Sequence, residues 1–270
     1  MNKNSILLFV LLYTLHTTAQ IDWIRDYKLA TEMAMEQKKW IVVDFWASWC
    51  DPCKKMDRQL WQQQKINEVK DNFIFLKLDF DQEKELVQFF SIRSIPNILI
   101  IDPYKSVIDQ KVGFSITNEY IKWLKNFPVY NLTNLYSHID PMILNHKSSK
   151  AYLNLGVAYQ NLAMNPASSS IKKTLLHYSS LQFKEILKKS KSENIIHQAN
   201  LYVLLNKAIA GKNKRVLKKL HNDPNSYTEE TQELKHFIKA YCYMKEGDTD
   251  ALINEKKQIH NSDWLAILSF

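Results

Sequence analysis

Two cysteines at positions 50 and 53 directly follow an apolar, β-branched run, and this order constrains the fold more than any other feature of the chain. The run, residues 40–46, has the composition of a buried strand, and the cysteines fall at the start of a predicted helix. A thiol at a helix N-terminus faces the positive end of the helix dipole, which favours the thiolate and lowers the thiol pKa. A second thiol one turn away can resolve a mixed disulfide formed at Cys50. The pattern therefore predicts thiol–disulfide exchange.

Residues 1–19 have the pattern of an export signal. Lys3 precedes the apolar stretch of residues 6–15, and Ala19 ends a small-residue cleavage site. The apolar stretch is much shorter than the ~20 residues that span a bilayer, so an uncleaved membrane anchor is the less favoured alternative. We expect a periplasmic or extracellular protein after cleavage near Ala19, with no transmembrane span in the mature chain.

The chain has three cysteines, which is too few for a scaffold held together by disulfides. A structural zinc site needs four ligands, and no second CxxC motif or close histidine pair follows Cys53, so we expect no metal. Cys242 lies in an apolar and aromatic helical segment, which is typical of a buried small side chain. The expected redox centre is the Cys50/Cys53 pair itself, without a further cofactor.

Length and charge divide the sequence into two parts. The chain beyond residue 19 exceeds one ordinary domain of roughly 100–200 residues. Residues 20–130 carry equal numbers of acidic and basic side chains, so the formal net charge of +8 comes almost entirely from residues 131–270. We predict one domain over residues 20–128, a linker or a first short helix over 129–148, and an α-helical domain over 149–270.

Hydrophobic periodicity predicts helices that alternate with strands in the first domain. The predicted helices are residues 22–39, 54–69, 83–90 and 117–127, and the predicted strands are residues 40–46, 73–79, 97–101 and 107–112. Such an order is typical of a mixed sheet with helices on its faces.

Residues 40–127 resemble the thioredoxin family in four features that occur in the same order. These are Asp44, the segment from Phe45 to Lys54 with both cysteines, Lys77, and the loop Ser94-Ile95-Pro96. The resemblance implies a thioredoxin-like α/β fold, with a mixed four- to five-stranded sheet flanked by helices, and disulfide oxidoreductase activity. The predicted helix before the first strand and the Asp51-Pro52 spacer resemble the exported disulfide-reductase branch of the family.

The resemblance also implies catalytic roles. Cys50 is expected to be the exposed attacking thiol and Cys53 the less accessible resolving thiol. Asp44, on an apolar strand, should have a raised pKa, which suits a base for the Cys53 proton. The alternative is a structural role, in which Asp44 is paired with Lys77. The structural and the catalytic role can hold together.

Substrate contacts are expected beside the cysteines. Trp49 directly precedes Cys50, so its ring would flank the thiol. A cis bond between Ile95 and Pro96, which the resemblance implies, would present the backbone N–H and C=O of Ile95 to an extended substrate.

Asp51 and Pro52 complete the predicted substrate-binding set. The negative charge of Asp51 disfavours the Cys50 thiolate, which stabilises the oxidised pair and biases it toward donating electrons. The helix dipole, Lys54 and Lys55 oppose this effect. The balance predicts a reductase or isomerase and not a strong oxidant.

Helical patterns dominate residues 149–270. Residues 152–159 and 240–251 resemble parts of tetratricopeptide repeats, in which a glycine such as Gly156 lets two helices pack closely. We predict two or three degenerate repeats with a concave surface for a partner protein. Lysine pairs at 172–173, 188–189 and 218–219 favour acidic partners, although a solvated helix exterior is the simpler interpretation. No motif predicts nucleic-acid binding.

The sequence leaves two functions open. The first is an exported thiol:disulfide oxidoreductase that reduces or isomerises disulfides of extracytoplasmic proteins, with an electron donor that the sequence does not identify. The second is a non-catalytic thioredoxin-like scaffold whose helical domain binds partner proteins. The cysteine pair, Asp44 and Pro96 favour the enzyme, because a scaffold does not need attacking and resolving thiols.

Overall fold

The computed structural model describes residues 21–115, 117–128, 132–143, 147–164 and 168–269. The predicted export signal lies outside these ranges, as do residues 129–131 and 144–146 of the predicted linker. Residues 21–128 form an α/β part and residues 132–269 a helical part, and these two names are used below.

A four-stranded mixed sheet forms the centre of the α/β part. Its strands are β1 (Trp40–Trp46), β2 (Phe73–Asp79), β3 (Asn97–Ile101) and β4 (Val107–Val112). They lie in the order β2-β1-β3-β4, with β1 parallel to β2 and the other neighbours antiparallel. All four predicted strands are confirmed. The mostly apolar runs of β1, β2 and β3 match their almost complete burial, whereas β4 at the sheet edge alternates between apolar and polar residues and is only partly buried.

The first helix is shorter than the sequence predicts. Helix α1 spans Tyr27–Gln37, and the side chain of Asp26 accepts a hydrogen bond of 2.7 Å from the backbone N–H of Leu29. The preceding residues are extended, and Ile24 exchanges backbone hydrogen bonds with the edge of β2 at Phe75 and Lys77. The prediction of a helix over residues 22–26 is therefore wrong, because the N-cap at Asp26 and the pairing with β2 exclude it.

The long helix predicted over residues 54–69 is also wrong. Helix α2 (Asp51–Met56) continues into one π-helical turn (Asp57–Trp61), and two 3₁₀ turns follow, Gln64–Glu68 and Lys70–Asn72. The wider π turn places the adjacent side chains of Leu60 and Trp61 in the core together. No glycine or proline marks this break, because packing against the sheet causes it.

Helices α3 (Lys84–Phe89) and α4 (Thr117–Lys125) complete the α/β part, close to their predicted positions. The helical part contains α5 to α12. Their bounds are Leu132–Ile143, Ser149–Met164, Ser169–Lys189, Glu193–Ile209, Asn213–His221, Glu229–Glu246, Thr249–Lys256 and Ser262–Ile267. Helix α5 lies within residues 129–148, for which the sequence predicts either a linker or a short helix. No helix within the described ranges combines the length and the apolar character needed to cross a bilayer.

Helices α6 and α7 pack closely at Gly156. A Cβ atom at this position would lie 2.5 Å from Cε1 of Phe183 on α7. The absence of a side chain therefore permits the approach of the two helices, as the sequence predicts. The arrangement of the helical part as tetratricopeptide-like repeats stays a prediction.

Buried polar contacts join the two parts. The indole N–H of Trp40 donates to the carbonyl of Pro128 at 2.7 Å, and the hydroxyl of Tyr136 on α5 donates to the carbonyl of Lys39. The hydroxyl of Tyr159 on α6 donates to Asp102, which follows β3. One hydrophobic core runs through both parts.

Candidate active site

The two cysteines lie where β1 leads into α2. After β1, Ala47 accepts a backbone hydrogen bond from Cys50, and Cys50 is the N-cap of α2. Cys50 and Cys53 are joined in a disulfide. The backbone N–H of Cys53 points to the sulfur of Cys50 at 3.1 Å. In the reduced pair this donor would stabilise negative charge on Cys50 and not on Cys53, which supports Cys50 as the thiolate.

The predicted difference in exposure between the two sulfurs is not found. Cys50 and Cys53 are each 3% exposed, because Ala47 packs with them and Trp46, Phe80 and Ile95 border this small apolar cluster. The prediction of an exposed Cys50 is therefore wrong for the disulfide form. The sequence could not show this, because Phe80 and Ile95 come from other loops of the α/β part.

Asp44 and Lys77 form a buried pair on adjacent strands, since β1 and β2 place them opposite each other in the sheet. The Lys77 Nζ atom lies 3.6 Å from Asp44 Oδ2. Burial raises the pKa of Asp44 to about 7, and the positive charge of Lys77 limits this rise. Lys77 Nζ also lies over the rings of Trp23 and Trp46, 5.1 and 4.9 Å from their centroids.

Two residues that the sequence did not assign to the site belong to this pair. Asp57, on the π-helical turn, forms a short ion pair with Lys77, and its negative charge adds to the rise in the pKa of Asp44. Trp61 donates its indole N–H to Asp44 Oδ2 at 3.2 Å. Asp57 follows Cys53 by four residues, a helical spacing that could have drawn attention to it. Trp61 lies in the core, and its hydrogen bond to Asp44 has no signal in the sequence.

The second carboxylate oxygen of Asp44, Oδ1, is buried and has no hydrogen-bond partner among the described residues. No direct hydrogen bond joins Asp44 to either sulfur within the same ranges. Asp44 thus has a free proton-accepting atom and a pKa near neutral pH, which are the two properties that a general base needs.

The loop before β3 lies against the cysteines. The Ile95–Pro96 peptide bond is cis, and Ile95 packs on the cysteine cluster. The carbonyl of Pro96 accepts a hydrogen bond of 2.8 Å from Gly113. Within the described chain, neither the N–H nor the C=O of Ile95 takes part in a hydrogen bond. Both groups are therefore free to bind a substrate backbone.

Among the residues that the structure describes, Trp49 is the most exposed large apolar side chain, 62% exposed, and it directly precedes Cys50. Its indole N–H donates to Asp81 Oδ2 at 2.6 Å, and Lys84 lies 3.6 Å from Oδ1 of the same carboxylate. The hydrogen bond to Asp81 holds one edge of the ring and leaves most of its surface open to a partner.

Asp51 and Pro52 occupy the exposed first turn of α2. The side chain of Asp51 is 90% exposed and lies 3.4 Å from Lys54 Nζ. Lys55 turns away and lies over the ring of Phe114, 5.6 Å from its centroid. Solvent and Lys54 both weaken the field of Asp51 at Cys50, and the bias toward donating electrons stays a prediction.

The remaining candidate groups take no part in the site. Cys242 is buried, as its sequence context predicts, and burial raises its pKa to about 12, so this thiol stays protonated. Among the residues that the structure describes, no three His, Cys, Asp or Glu side chains cluster as metal ligands.

The α/β part is similar in sequence to known proteins. A family model described as thioredoxin-like matches residues 22–103. A thioredoxin of Mycoplasmoides gallisepticum is 33% identical over 98 residues, which are 36% of this chain and 94% of that protein. The chain belongs to the thioredoxin family.

Further relatives match the same part of this thioredoxin-family protein. A thioredoxin of Chlorobaculum thiosulfatiphilum is 38% identical over 88 residues, which cover 33% of this chain and 78% of that one. Among solved structures, the oxidised C-terminal domain of Neisseria meningitidis DsbD has 22% identity and a TM-score of 0.34, and the similarity covers 38% of this chain and 97% of that one. The family model and the thioredoxin relatives show that the α/β part has a thioredoxin-like fold, and with its Cys50–Cys53 disulfide the protein is a thiol–disulfide oxidoreductase.

Proposed function

We propose that this thioredoxin-family protein is exported and that it reduces or isomerises disulfides of extracytoplasmic proteins. The observation that carries the proposal is the Cys50–Cys53 disulfide at the start of α2, with the free backbone groups of Ile95 beside it. The export pattern of residues 1–19 supports the proposed location.

The proposed reaction starts from the reduced pair. The Cys50 thiolate attacks one sulfur of a substrate disulfide, which forms a mixed disulfide and releases the other substrate sulfur as a thiolate. Cys53, after losing its proton, attacks Cys50 in the mixed disulfide and releases the second substrate thiolate. The protein ends oxidised and the substrate reduced, and an external dithiol of another protein regenerates the Cys50/Cys53 thiols. No metal or organic cofactor enters this scheme.

Asp44 is proposed as the base that takes the Cys53 proton during resolution, directly or through one water. Its pKa of about 7 places it near the protonation balance that a base requires at neutral pH. Lys77 is proposed to keep part of the Asp44 population ionised, since its charge opposes the effect of burial.

The substrate is proposed to bind across the loop that contains Ile95 and Pro96. Ile95 offers a free N–H and C=O to an extended backbone, in the manner of an added strand. Trp49 offers an exposed aromatic surface on the side of Cys50. Asp51 and Pro52 form the exposed surface of the first turn of α2, which faces the same substrate.

The test of this proposal is reduction of insulin disulfides with dithiothreitol as the electron source. The wild-type protein should accelerate precipitation of the insulin B chain, and Cys50→Ser should reduce the rate to the uncatalysed level because no mixed disulfide can form. Cys242→Ala is the matched control, since it removes a buried thiol outside the site. Equal rates for wild type and Cys50→Ser would leave only the scaffold function.

Direction and location need separate measurements. Equilibration of the Cys50/Cys53 pair with glutathione should give a reduction potential more negative than that of strong periplasmic oxidants, about −120 mV. N-terminal sequencing of the protein recovered from the extracytoplasmic fraction should show that its first residue is Gln20. A strongly oxidising potential would contradict the proposed direction, and an uncleaved protein in the cytoplasm would contradict export.

A further inference from the structure

Two adjoining cavities lie on the helical part, between α8, α9 and the loop that follows α9. The larger has a volume of about 610 Å³, and the smaller has a volume of about 130 Å³. Leu204, Arg215 and Lys219 line both of them. The two cavities together are called the basic cleft below.

Cationic side chains dominate the rim of the basic cleft. Five of them line it, namely Lys207, Lys212, Arg215, Lys218 and Lys219, against a single carboxylate. That carboxylate, Asp223, is engaged by Lys235 at 3.2 Å and accepts a hydrogen bond from Tyr227. Partial burial and the neighbouring cations lower the pKa of Lys207, so these charges are close enough to repel one another. An anionic ligand would relieve this repulsion.

The lysine pair at the end of α7 differs from the basic cleft. Lys188 and Lys189 lie 3.2 and 2.7 Å from the carboxylate of Glu185. Their charge is compensated locally. None of the five cations of the basic cleft forms such a pair within the described ranges, and the positive potential there is available to a partner.

The floor of the basic cleft is partly apolar. Pro224, which is exposed, and Tyr227, which is half-buried, lie there in the loop that follows α9, and the buried Leu201 and Leu204 of α8 also line it. Three amide side chains that can hydrogen-bond to a peptide backbone complete the lining, namely Asn200, Asn222 and Asn225. An apolar floor with a polar, charged rim is the usual composition of a protein-binding surface. A small inorganic anion would use only the rim, and a flat lipid surface would not reach the floor.

We propose that the basic cleft binds an acidic segment of a partner protein that also carries an apolar side chain. The acidic side chains of the segment pair with the cationic rim, and the apolar side chain lies on Pro224 and Tyr227, the accessible apolar residues of the cleft. This binding does not involve the cysteines, so it is independent of the proposed redox function.

The test uses a fluorescein-labelled ten-residue peptide of Asp, Glu and Ser with one central Leu, titrated with the purified protein by fluorescence anisotropy. Binding should weaken as salt increases, because the rim charges are exposed. Arg215→Glu with Lys219→Glu should weaken it by about tenfold or more, since two attractive contacts become repulsive. The control Lys172→Glu with Lys173→Glu changes net charge equally on α7 and should alter binding by less than about twofold.

Three results would overturn the proposal. One is equal weakening by the two charge-reversed variants, both folded by circular dichroism. The second is unchanged affinity when the central Leu of the peptide becomes Ser, which would remove the role of the floor. The third is no peptide binding together with binding of inorganic phosphate or of anionic phosphatidylglycerol vesicles, which would assign the cleft to another ligand. A Cys50→Ser/Cys53→Ser protein should bind the peptide normally, so failure of the redox proposal is detected separately.

Discussion

At the scale of single residues, the buried carboxyl of Asp44 links this protein's chemistry to its stability. Burial is the largest cause of its raised pKa of about 7, and Lys77 and Trp61 act in the opposite direction. The folded state therefore holds the Asp44 proton more tightly than the unfolded chain does, whose Asp pKa is about 3.9. The stability that this group contributes is fully present below the unfolded pKa and is lost as pH rises through about 7.

Substitution of Asp44 by Asn should remove this pH dependence. Each pKa unit is worth about 1.4 kcal/mol, so the wild type should lose about 2–3 kcal/mol of unfolding free energy between pH 5 and pH 8 on account of Asp44. The unfolding free energy of the Asp44→Asn variant should not show this decrease, because its amide does not titrate. Urea unfolding of both proteins at the two pH values measures the difference. A difference in unfolding free energy between wild type and variant that is the same at pH 5 and pH 8 would contradict the raised pKa of Asp44.

Asp57 should tune the same carboxyl. Its negative charge raises the pKa of Asp44, so Asp57→Asn should lower that pKa below about 7. If Asp44 is the base, the rising acid limb of the pH profile of insulin reduction should move to lower pH. Asp71→Asn, which removes an exposed acid from the same stretch of chain, is the matched control and should leave the profile in place. A profile that Asp57→Asn does not move would exclude control of the rate by Asp44.

The residues of the site were predictable to different degrees. Asp44, Lys77 and the cysteines could be found because each stands beside or within an apolar strand with a recognisable motif. For Asp57 the only signal is its helical spacing from Cys53, and for Trp61 there is none, because their contacts cross 20 and 17 residues of chain and depend on the π-helical turn. The burial of Cys50 likewise depends on packing from Phe80 and Ile95. Sequence patterns report local structure, and these properties arise from tertiary contacts.

At the scale of secondary-structure elements, the close approach of α6 and α7 rests on Gly156. Gly→Ala inside a helix ordinarily stabilises it by up to about 1 kcal/mol. Here the added methyl group would meet Phe183, whose ring stacks on Tyr202 with centroids 5.6 Å apart and has little room to move. Gly156→Ala should therefore lower the unfolding free energy by about 1–3 kcal/mol.

A double-mutant cycle separates this clash from other effects. In the presence of Phe183→Leu, the Gly156→Ala change should cost much less or become favourable, because the smaller side chain leaves room for the methyl group. Urea unfolding of the four proteins gives the coupling energy. Additive effects of the two substitutions would show that the ring does not restrict position 156.

The strands were predictable and the helix breaks were not, for one physical reason. Mostly apolar runs such as residues 40–46 are required by burial on both faces of the sheet, so the sequence shows them directly. The break after α2 occurs among residues with good helical propensity, and it satisfies the packing of Leu60 and Trp61 instead.

At the scale of the whole molecule, a buried polar network couples the α/β part to the helical part. Asp102 accepts hydrogen bonds from the backbone of Ser106 at 2.9 Å and from the hydroxyl of Tyr159, and the Ser106 and Tyr159 hydroxyls share a third bond of 2.9 Å. Burial raises the pKa of Asp102 to about 6, and the Tyr159 hydrogen bond opposes this rise. The sequence predicts a linker between the parts. It gives no signal of this contact, because the contact joins residues 57 positions apart.

Because of this coupling, both parts should unfold in one transition. Six of the seven tryptophans lie in the α/β part, so their fluorescence reports on it, whereas ellipticity at 222 nm reports mainly on the helical part. The two urea curves of the wild type should coincide. Tyr159→Phe should lower the unfolding free energy by about 1–3 kcal/mol at pH 8, where Asp102 is ionised and loses its donor.

The matched control is Tyr178→Phe, whose hydroxyl donates to the carbonyl of Val107 at 3.2 Å and is only partly buried. Its removal should cost less, because water can reach the freed carbonyl. At pH 5 the Tyr159→Phe effect should shrink, since Asp102 is then mostly protonated in the folded state and carries no buried charge. Wild-type curves that separate would show that the two parts unfold independently and that the Asp102–Tyr159 contact does not couple them.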